Sequence, residues 1–245
     1  MFGMFAAATR HRNVAAPVVP FSPNDVADLQ LWMEGESGLT TDLSDNAYTV
    51  ANTAATISTA DLNGLDTFRF TGSAWLDIGT QLGKPANFTI VAILKADNAA
   101  TRQVAFASGA ASGSSKFIWG SCIISQNSTP SKSISSHASD DVNFRQTSSS
   151  ADALVNATYQ LVTLRYTAGD AFTDMWVDAV ATSQATAGSA TSNTGVAEDF
   201  RLGSMGAHTS LNFTGNIAEH LVYDRALTQT EIDDIEAHLQ SKYAL

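Results

Sequence analysis

The reading of the fold rests on Phe213-Thr214-Gly215-Asn216-Ile217-Ala218-Glu219-His220-Leu221-Val222-Tyr223-Asp224-Arg225-Ala226-Leu227-Thr228-Gln229-Thr230-Glu231-Ile232. Between Ile217 and Tyr223 one alternating set is Ile217, Glu219, Leu221 and Tyr223, the other Ala218, His220 and Val222. Both sets are largely apolar, which predicts a strand covered on both faces, between sheets or under a helix. The stretch then turns into a helix start. Thr228 and Glu231 form a capping box, Leu227 and Ile232 stand at the staple positions, and Ile232, Ile235 and Leu239 recur at helical spacing. A terminal helix from Glu231 to Tyr243 is therefore expected to pack on the sheet.

Upstream, short β runs alternate with Gly, Asn, Asp and Ser clusters: Leu29–Met33, Phe88–Leu94, Lys116–Trp119, Tyr159–Tyr166, Asp174–Asp178 and Phe200–Leu202. Many strands without intervening amphipathic helices argue for an all-β, two-sheet antiparallel jelly-roll sandwich and against a parallel α/β sheet. Ser22-Pro23-Asn24-Asp25 predicts a short N-terminal helical turn, with Ser as cap, Pro at the first helical position and Asp at the positive dipole end. The Ser/Ala/Thr-rich stretches 108–115, 128–150 and 181–195 read as long surface loops. Residues 1–20 show neither strand nor helix period and read as an extended N-terminal arm, leaving 21–245 as one jelly-roll domain.

Composition narrows the function. Only 15% of the 245 residues are charged, against roughly 25% in an average soluble domain, and the acids outnumber the bases 24 to 13. A net charge of −11 without a Lys/Arg-rich run lacks the footprint that nucleic acid or an anionic membrane requires. Neither a nucleic-acid partner nor membrane insertion is expected. The single cysteine, Cys122, excludes an internal disulfide framework and reads as a small strand residue. The apolar Met1–Ala8 is followed, not preceded, by its cations Arg10 and Arg12, an order unlike a secretory signal. The arm holds no acid, so residues 21–245 carry 24 acids against 11 cations, a balance of −13. An apolar, slightly basic arm on an acidic body predicts that Phe2, Met4, Phe5, Arg10 and Arg12 reach the body or a neighbour's surface.

The segment Phe213–Thr228 with its helix resembles the closing strand and helix of concanavalin A-like lectin/glucanase jelly rolls, most nearly the laminin-G-like modules of bacterial and phage surface proteins. Their ending reads roughly F-x-G-x-I-A-E-x-x-V-Y-x-R-A-L-s-x-x-E-I. Asn87–Ala92, the pair Tyr159–Tyr166 and Asp174–Asp178, and the opening Phe21–Met33 are similar to further pieces of that family in the same order. The resemblance implies the fold over about 21–245, but a shared fold does not identify a ligand.

Three chemistries are weighed. The family's enzymatic branch uses Glu-x-Asp-x-x-Glu on a strand, where two carboxylates about 5 Å apart serve a retaining mechanism. Glu231-Ile232-Asp233-Asp234-Ile235-Glu236 matches the letters, but on a helix five residues rotate about 140° and the two Glu side chains diverge. The other acidic pairs, Glu34 with Glu36 and Glu198 with Asp199, read as turn solvation. The five histidines show no metal-ligating spacing, so no metal site or other cofactor is assigned. The resemblance leaves calcium open, with Asp140-Asp141 or Asp42 and Asp45 as possible oxygen donors. For carbohydrate, an aromatic face with amide and guanidinium donors is needed. The 116–145 region offers Trp119, His137, Asn143 and Arg145, although for Trp119 a structural role is the better reading; Trp75 and Trp176 lie in apolar strands and read as core.

The leading expectation is a non-enzymatic structural or adhesion protein of a virion, a bacteriophage head-decoration or appendage protein. It would dock on other virion proteins or on copies of itself through residues 1–20 and display a lectin-like domain to surface glycans. A free, extracellular carbohydrate-binding lectin is the alternative, and a glycoside hydrolase of the same fold the third reading.

Overall fold

The computed structural model describes residues 21–109, 118–125, 131–170, 173–182, 185–205 and 211–245; the arm residues Phe2, Met4, Phe5, Arg10 and Arg12 lie outside them. In chain order the described strands are β1 Leu29–Glu34, β2 Ala51–Thr53, β3 Thr56–Leu62, β4 Leu65–Thr71, β5 Trp75–Gly79, β6 Phe88–Ala96, β7 Gln103–Ser108 and β8 Trp119–Ile124. They continue with β9 Ile134–Ser139, β10 Phe144–Ser148, β11 Gln160–Tyr166, β12 Asp174–Val177, β13 Val180–Ala181, β14 Ala185–Gly188, β15 Phe200–Leu202 and β16 Thr214–Tyr223. One helix follows, α1 Gln229–Tyr243, and two 3-10 turns lie at Pro23–Asp25 and Gly35–Ser37.

The strands form two antiparallel sheets that pack as a jelly-roll sandwich. The first runs β13-β12-β11-β6-β16-β4-β3, with β1 also paired to β16; the second runs β14-β10-β9-β8-β7-β15-β5-β2. β16 is the spine of the first sheet. Along one edge its Thr214–Ile217 half pairs with β4 and its Glu219–Tyr223 half with β1, while β6 runs along the other edge. The strict alternation expected for this strand is broken by a register shift between Ile217 and Glu219. Such a bulge moves one residue to the other face. Ile217, His220 and Val222 thus reach the interior, while Ala218, Glu219, Leu221 and Tyr223 face the helix.

The interior between the sheets holds Phe68, Phe70, Phe88, Phe106, Trp119 and Phe200, all fully buried. A second apolar layer lies outside the first sheet, where Val91, Ile93, Leu161 and Leu221 receive Ile232, Ile235, Leu239 and Tyr243 of α1. Each such side chain contributes about 1.5–3 kcal/mol when fully buried. The helix begins as its letters require: the Glu231 N–H donates to Thr228 Oγ1 (3.4 Å), the Thr228 N–H donates to Glu231 Oε2 (2.9 Å), and Arg225 grips Glu231 at 2.7 and 2.9 Å. The predicted N-terminal turn forms too, with Ser22 capping Pro23–Asp25 in a capping box of its own.

The Ser-rich stretches correct the sequence reading. Within 128–150 lie β9 and β10, and within 181–195 lies β14, so parts of these stretches are strands in the second sheet. Every residue of Ile134-Ser135-Ser136-His137-Ala138-Ser139 is buried. Serine hides the alternation because it is small and its hydroxyl can be satisfied inside a sheet. Ser135 Oγ and Ser148 Oγ lie 3.1 Å apart across β9 and β10, and Gln146 Nε2 donates to Ser148 Oγ at 3.2 Å.

Candidate functional site

The four residues considered for sugar binding do not converge. Trp119 is fully buried between the sheets, 5.6 Å from the Phe88 ring and 5.4 Å from the Phe200 ring, so it is a core residue and presents no face to a ligand. Gly120 turns it inward. Its φ of 55° puts a bulge in β8, and a Cβ there would lie 2.7 Å from Ile90 Cδ1. His137 alternates with the core residue Ala138 and so faces the opposite, outer side of the second sheet. There its Nδ1 lies 2.9 Å from Ser121 Oγ and it sits directly opposite Gln146. Burial, opposed by the Gln146 hydrogen bond and reinforced by the positive charge of Arg102, lowers its pKa to about 4. Arg145 pairs in register with Ala138, pointing away from His137, and its Nε donates to the Ala190 carbonyl at 2.6 Å. Asn143 is exposed in the β9–β10 turn and donates its backbone N–H to Asp140 at 2.6 Å.

Two further tryptophans exchange roles with Trp119. Trp75 and Trp176, read as core, are half-buried on outer faces because Leu76 with Ile78, and Met175 with Val177, take the inward positions. Arg201 lies over the Trp75 ring at 5.6 Å and Arg165 over that of Trp176 at 5.1 Å.

Of the acidic residues weighed for calcium, Asp42 and Asp140 accept backbone N–H groups in turns. Asp42 receives the N–H groups of Trp32, Ser44 and Tyr48, and Asp140 those of Val142 and Asn143. Asp141 is bound to the buried ammonium of Lys84 at 2.6 Å. Among the described residues no group of three or more His, Cys, Asp or Glu side chains could hold a metal ion. The hydrolase letters lie on α1 and diverge: Glu231 caps the helix, whereas Glu236 is buried with Thr163 Oγ1 donating to it at 2.6 Å. An acidic juxtaposition that the sequence reading missed places Glu34 directly opposite Glu219 on β1 and β16. Both are held by Lys242, and Glu219 also accepts from Trp32 Nε1 and Tyr243 Oη at 2.9 Å each. Burial raises the Glu219 pKa against the pull of Lys242. This cluster borders a cleft of about 370 Å³ lined by Phe21, Trp32, Glu34, His238 and Lys242, but the Glu219 carboxylate lies beneath it, fully buried and spent on helix docking.

A different cleft has open polar chemistry. The β6–β7 turn (97–102), Gln103 and the approach to β16 enclose about 310 Å³ at the rim of the sandwich, lined by Asp97, Asn98, Thr101, Arg102, Gln103, Asn212 and Thr214. Every lining side chain is polar. The frame is fixed from several elements: the Asn98 side chain accepts the Ala100 N–H at 3.0 Å, Gln103 donates to the Asn98 carbonyl at 2.9 Å and accepts the Thr214 N–H at 2.9 Å, and Asn156 accepts the Ala99 N–H at 2.8 Å. Asn212 donates to the Gly72 carbonyl at 3.0 Å. Within this frame two buried atoms have no partner, the donor Arg102 Nε and the acceptor Asn212 Oδ1. Buried polar atoms are nearly always paired, so an unpaired donor and an unpaired acceptor in one cleft mark it as a place for a ligand bearing both kinds of group. The only sequence sign of this site is the Asp97-Asn98 turn after a strong strand. Asn212, more than a hundred residues on, gives none.

A lectin-type sandwich with a preformed polar cleft at its rim defines a class of binding module. The chain belongs to the concanavalin A-like lectin/glucanases superfamily, whose laminin-G-type family model matches residues 51–233. No curated protein sequence matches it. Among solved structures it is similar to domain 4 of AbnA, a GH43 extracellular arabinanase from Geobacillus stearothermophilus, in complex with arabinotriose. The identity is 15% and the TM-score 0.58, over 85% of this chain and 98% of that domain. It is also similar to the binding domain of Paraclostridial Mosquitocidal Protein 1 (12% identity, TM-score 0.61, 85% of this chain) and to that of botulinum neurotoxin serotype C1 (11%, 0.60, 89%). The chain spans 52% and 53% of those two binding domains. At such identities the likeness is one of fold.

Proposed function

We propose that this chain is a non-enzymatic carbohydrate-binding module and that the rim cleft receives the glycan. The observation that carries the reading is the cleft lined by polar side chains, with its unpartnered Arg102 Nε and Asn212 Oδ1, because sugar hydroxyls donate and accept at once. The family and the arabinotriose bound to the AbnA domain support the ligand class. Binding of the full chain to a glycan panel tests it against the variant T101W, whose indole fills the cleft from an exposed turn position. Binding to at least one glycan, reduced about tenfold or more by T101W while the melting temperature holds, is the expected result. No binding across the panel, or binding indifferent to T101W, overturns the assignment.

A second reading concerns where the module works. The apolar arm with Phe2, Met4, Phe5, Arg10 and Arg12, on a body with a balance of −13, supports attachment to a neighbouring polypeptide, as in an adhesion or decoration protein on a virion surface. Deleting residues 1–20 should abolish incorporation into particles and leave the sandwich folded; normal incorporation would rule this out.

A further inference from the structure

We infer that the rim cleft selects acidic sugars, with Arg102 binding an oxyanion carried on the ring, a carboxylate or a sulfate ester; this rests on the carbohydrate reading above. Arg102 stands apart from every other described cation. Arg69, Lys84, Lys95, Lys132, Arg165, Arg201, Arg225 and Lys242 are each ion-paired with a carboxylate, and Arg145 donates to a backbone carbonyl. Arg102 makes no ion pair or hydrogen bond, although its Nε is buried and the chain has 24 carboxylates to offer. Arg102 is half-buried with only its Nε shut off from solvent, and the planar fork of its guanidinium matches an oxyanion through two parallel N–H donors.

The one carboxylate in the cleft does not compensate it. Asp97 is held by both terminal nitrogens of Arg69, at 2.9 and 2.7 Å, and Arg69 also donates to Asn216. The charged groups lining the cleft are thus Arg102 and Asp97, and the carboxylate of Asp97 is taken up by Arg69 rather than by Arg102. The field of Arg102 is felt at His137, where it opposes protonation. Asn212 Oδ1, the second unpartnered atom, accepts a hydroxyl, so the fit is to a ligand with an anionic group and neighbouring hydroxyls rather than to a bare anion.

The test measures affinity of the full chain for a glucuronate-bearing oligosaccharide, the same oligosaccharide with its carboxyl amidated, a sulfated counterpart, and sodium sulfate alone. The wild-type chain should prefer the glucuronate or the sulfated sugar over the amidated one by about tenfold or more, with the preference weakening as salt rises. R102Q should bring the preferred glycan down to the affinity of the amidated form, R102K should restore part of the difference, and both variants should melt with the wild type. Which acidic sugar binds tighter identifies the anion. Equal binding of charged and amidated glycans overturns acid selection and leaves the carbohydrate reading standing. Binding of sodium sulfate as tight as that of either sugar overturns the role of the hydroxyls, and absence of binding to every probe overturns acid selection, while the glycan panel decides the carbohydrate reading.

Discussion

Lys242 and Arg102 show two uses of a cation in one sandwich. Lys242, on the last turn of α1, meets Glu34 and the fully buried Glu219, which is further held by Trp32 and Tyr243. All of that polar capacity is consumed in docking a helix on the first sheet. Arg102, on a turn at the rim, has comparable chemistry and no partner, within a frame whose other polar groups are largely fixed by Asn98, Gln103 and Asn156. The saturated cluster around Lys242 serves helix docking, whereas the open valence of Arg102 in a fixed frame is what the proposed binding role would use.

The comparison breaks most sharply at Lys242. K242M leaves Glu219 buried without its counter-charge and should cost about 3 kcal/mol or more in urea unfolding, whereas a loss under about 1 kcal/mol would show that the cluster behaves as a surface pair.

A smaller effect is expected from acid. His220 lies in the interior between Phe106 and Phe200 with neither ring nitrogen bonded, and burial lowers its pKa to about 3; that of His137 falls to about 4. Both pKa values are depressed from about 6.5, so below that pH the unfolded chain takes up protons that the folded chain refuses. The stability these neutral rings contribute is complete above about pH 6.5 and is lost as pH falls toward 4, at about 1.4 kcal/mol per pH unit for each ring. The carboxyls of Glu219 and Glu236, raised by burial, act in the opposite sense over part of that range. The difference between wild type and H220F isolates one ring. H220F should remove the share of one ring from the histidine slope between pH 6 and 4.5, and an unchanged slope would contradict the neutral buried state.

The smallest effect belongs to Arg102. R102Q should shift stability by no more than about 0.5 kcal/mol in the same urea assay, since no intramolecular hydrogen bond or ion pair is lost. A cost comparable to that of K242M would erase the distinction between the two cations and make Arg102 structural.

What was legible in the sequence followed local periodicity. The capping box Thr228-Glu231 and the spacing of Ile232, Ile235 and Leu239 give α1, and the β-branched runs give β6, β11 and β16. β9 and β10 were illegible because Ser135, Ser136 and Ser148 carry no hydrophobic signal yet are buried. The tryptophans misled for a related reason. All three lie in runs that read as strands, and which of them faces inward depends on bulges and on alternation set by partner strands, so Trp119 goes to the core while Trp75 and Trp176 stay on outer faces. The rim cleft lay beyond reach altogether, because Arg102 and Asn212 are joined only through the pairing of β6 with β16 and the bridge between Val104 and Asn212.

By itself, then, the sequence determined the class of fold, the terminal helix and the acidic, lightly charged body, because these depend on residue period, capping chemistry and composition, which act over a few positions or over the whole chain. Only the tertiary structure decided which polar groups are spent and which are left open. That depends on register and on contacts across more than a hundred residues: these place Glu219 under Lys242 and leave Arg102 in one cleft with Asn212, with no carboxylate paired to it.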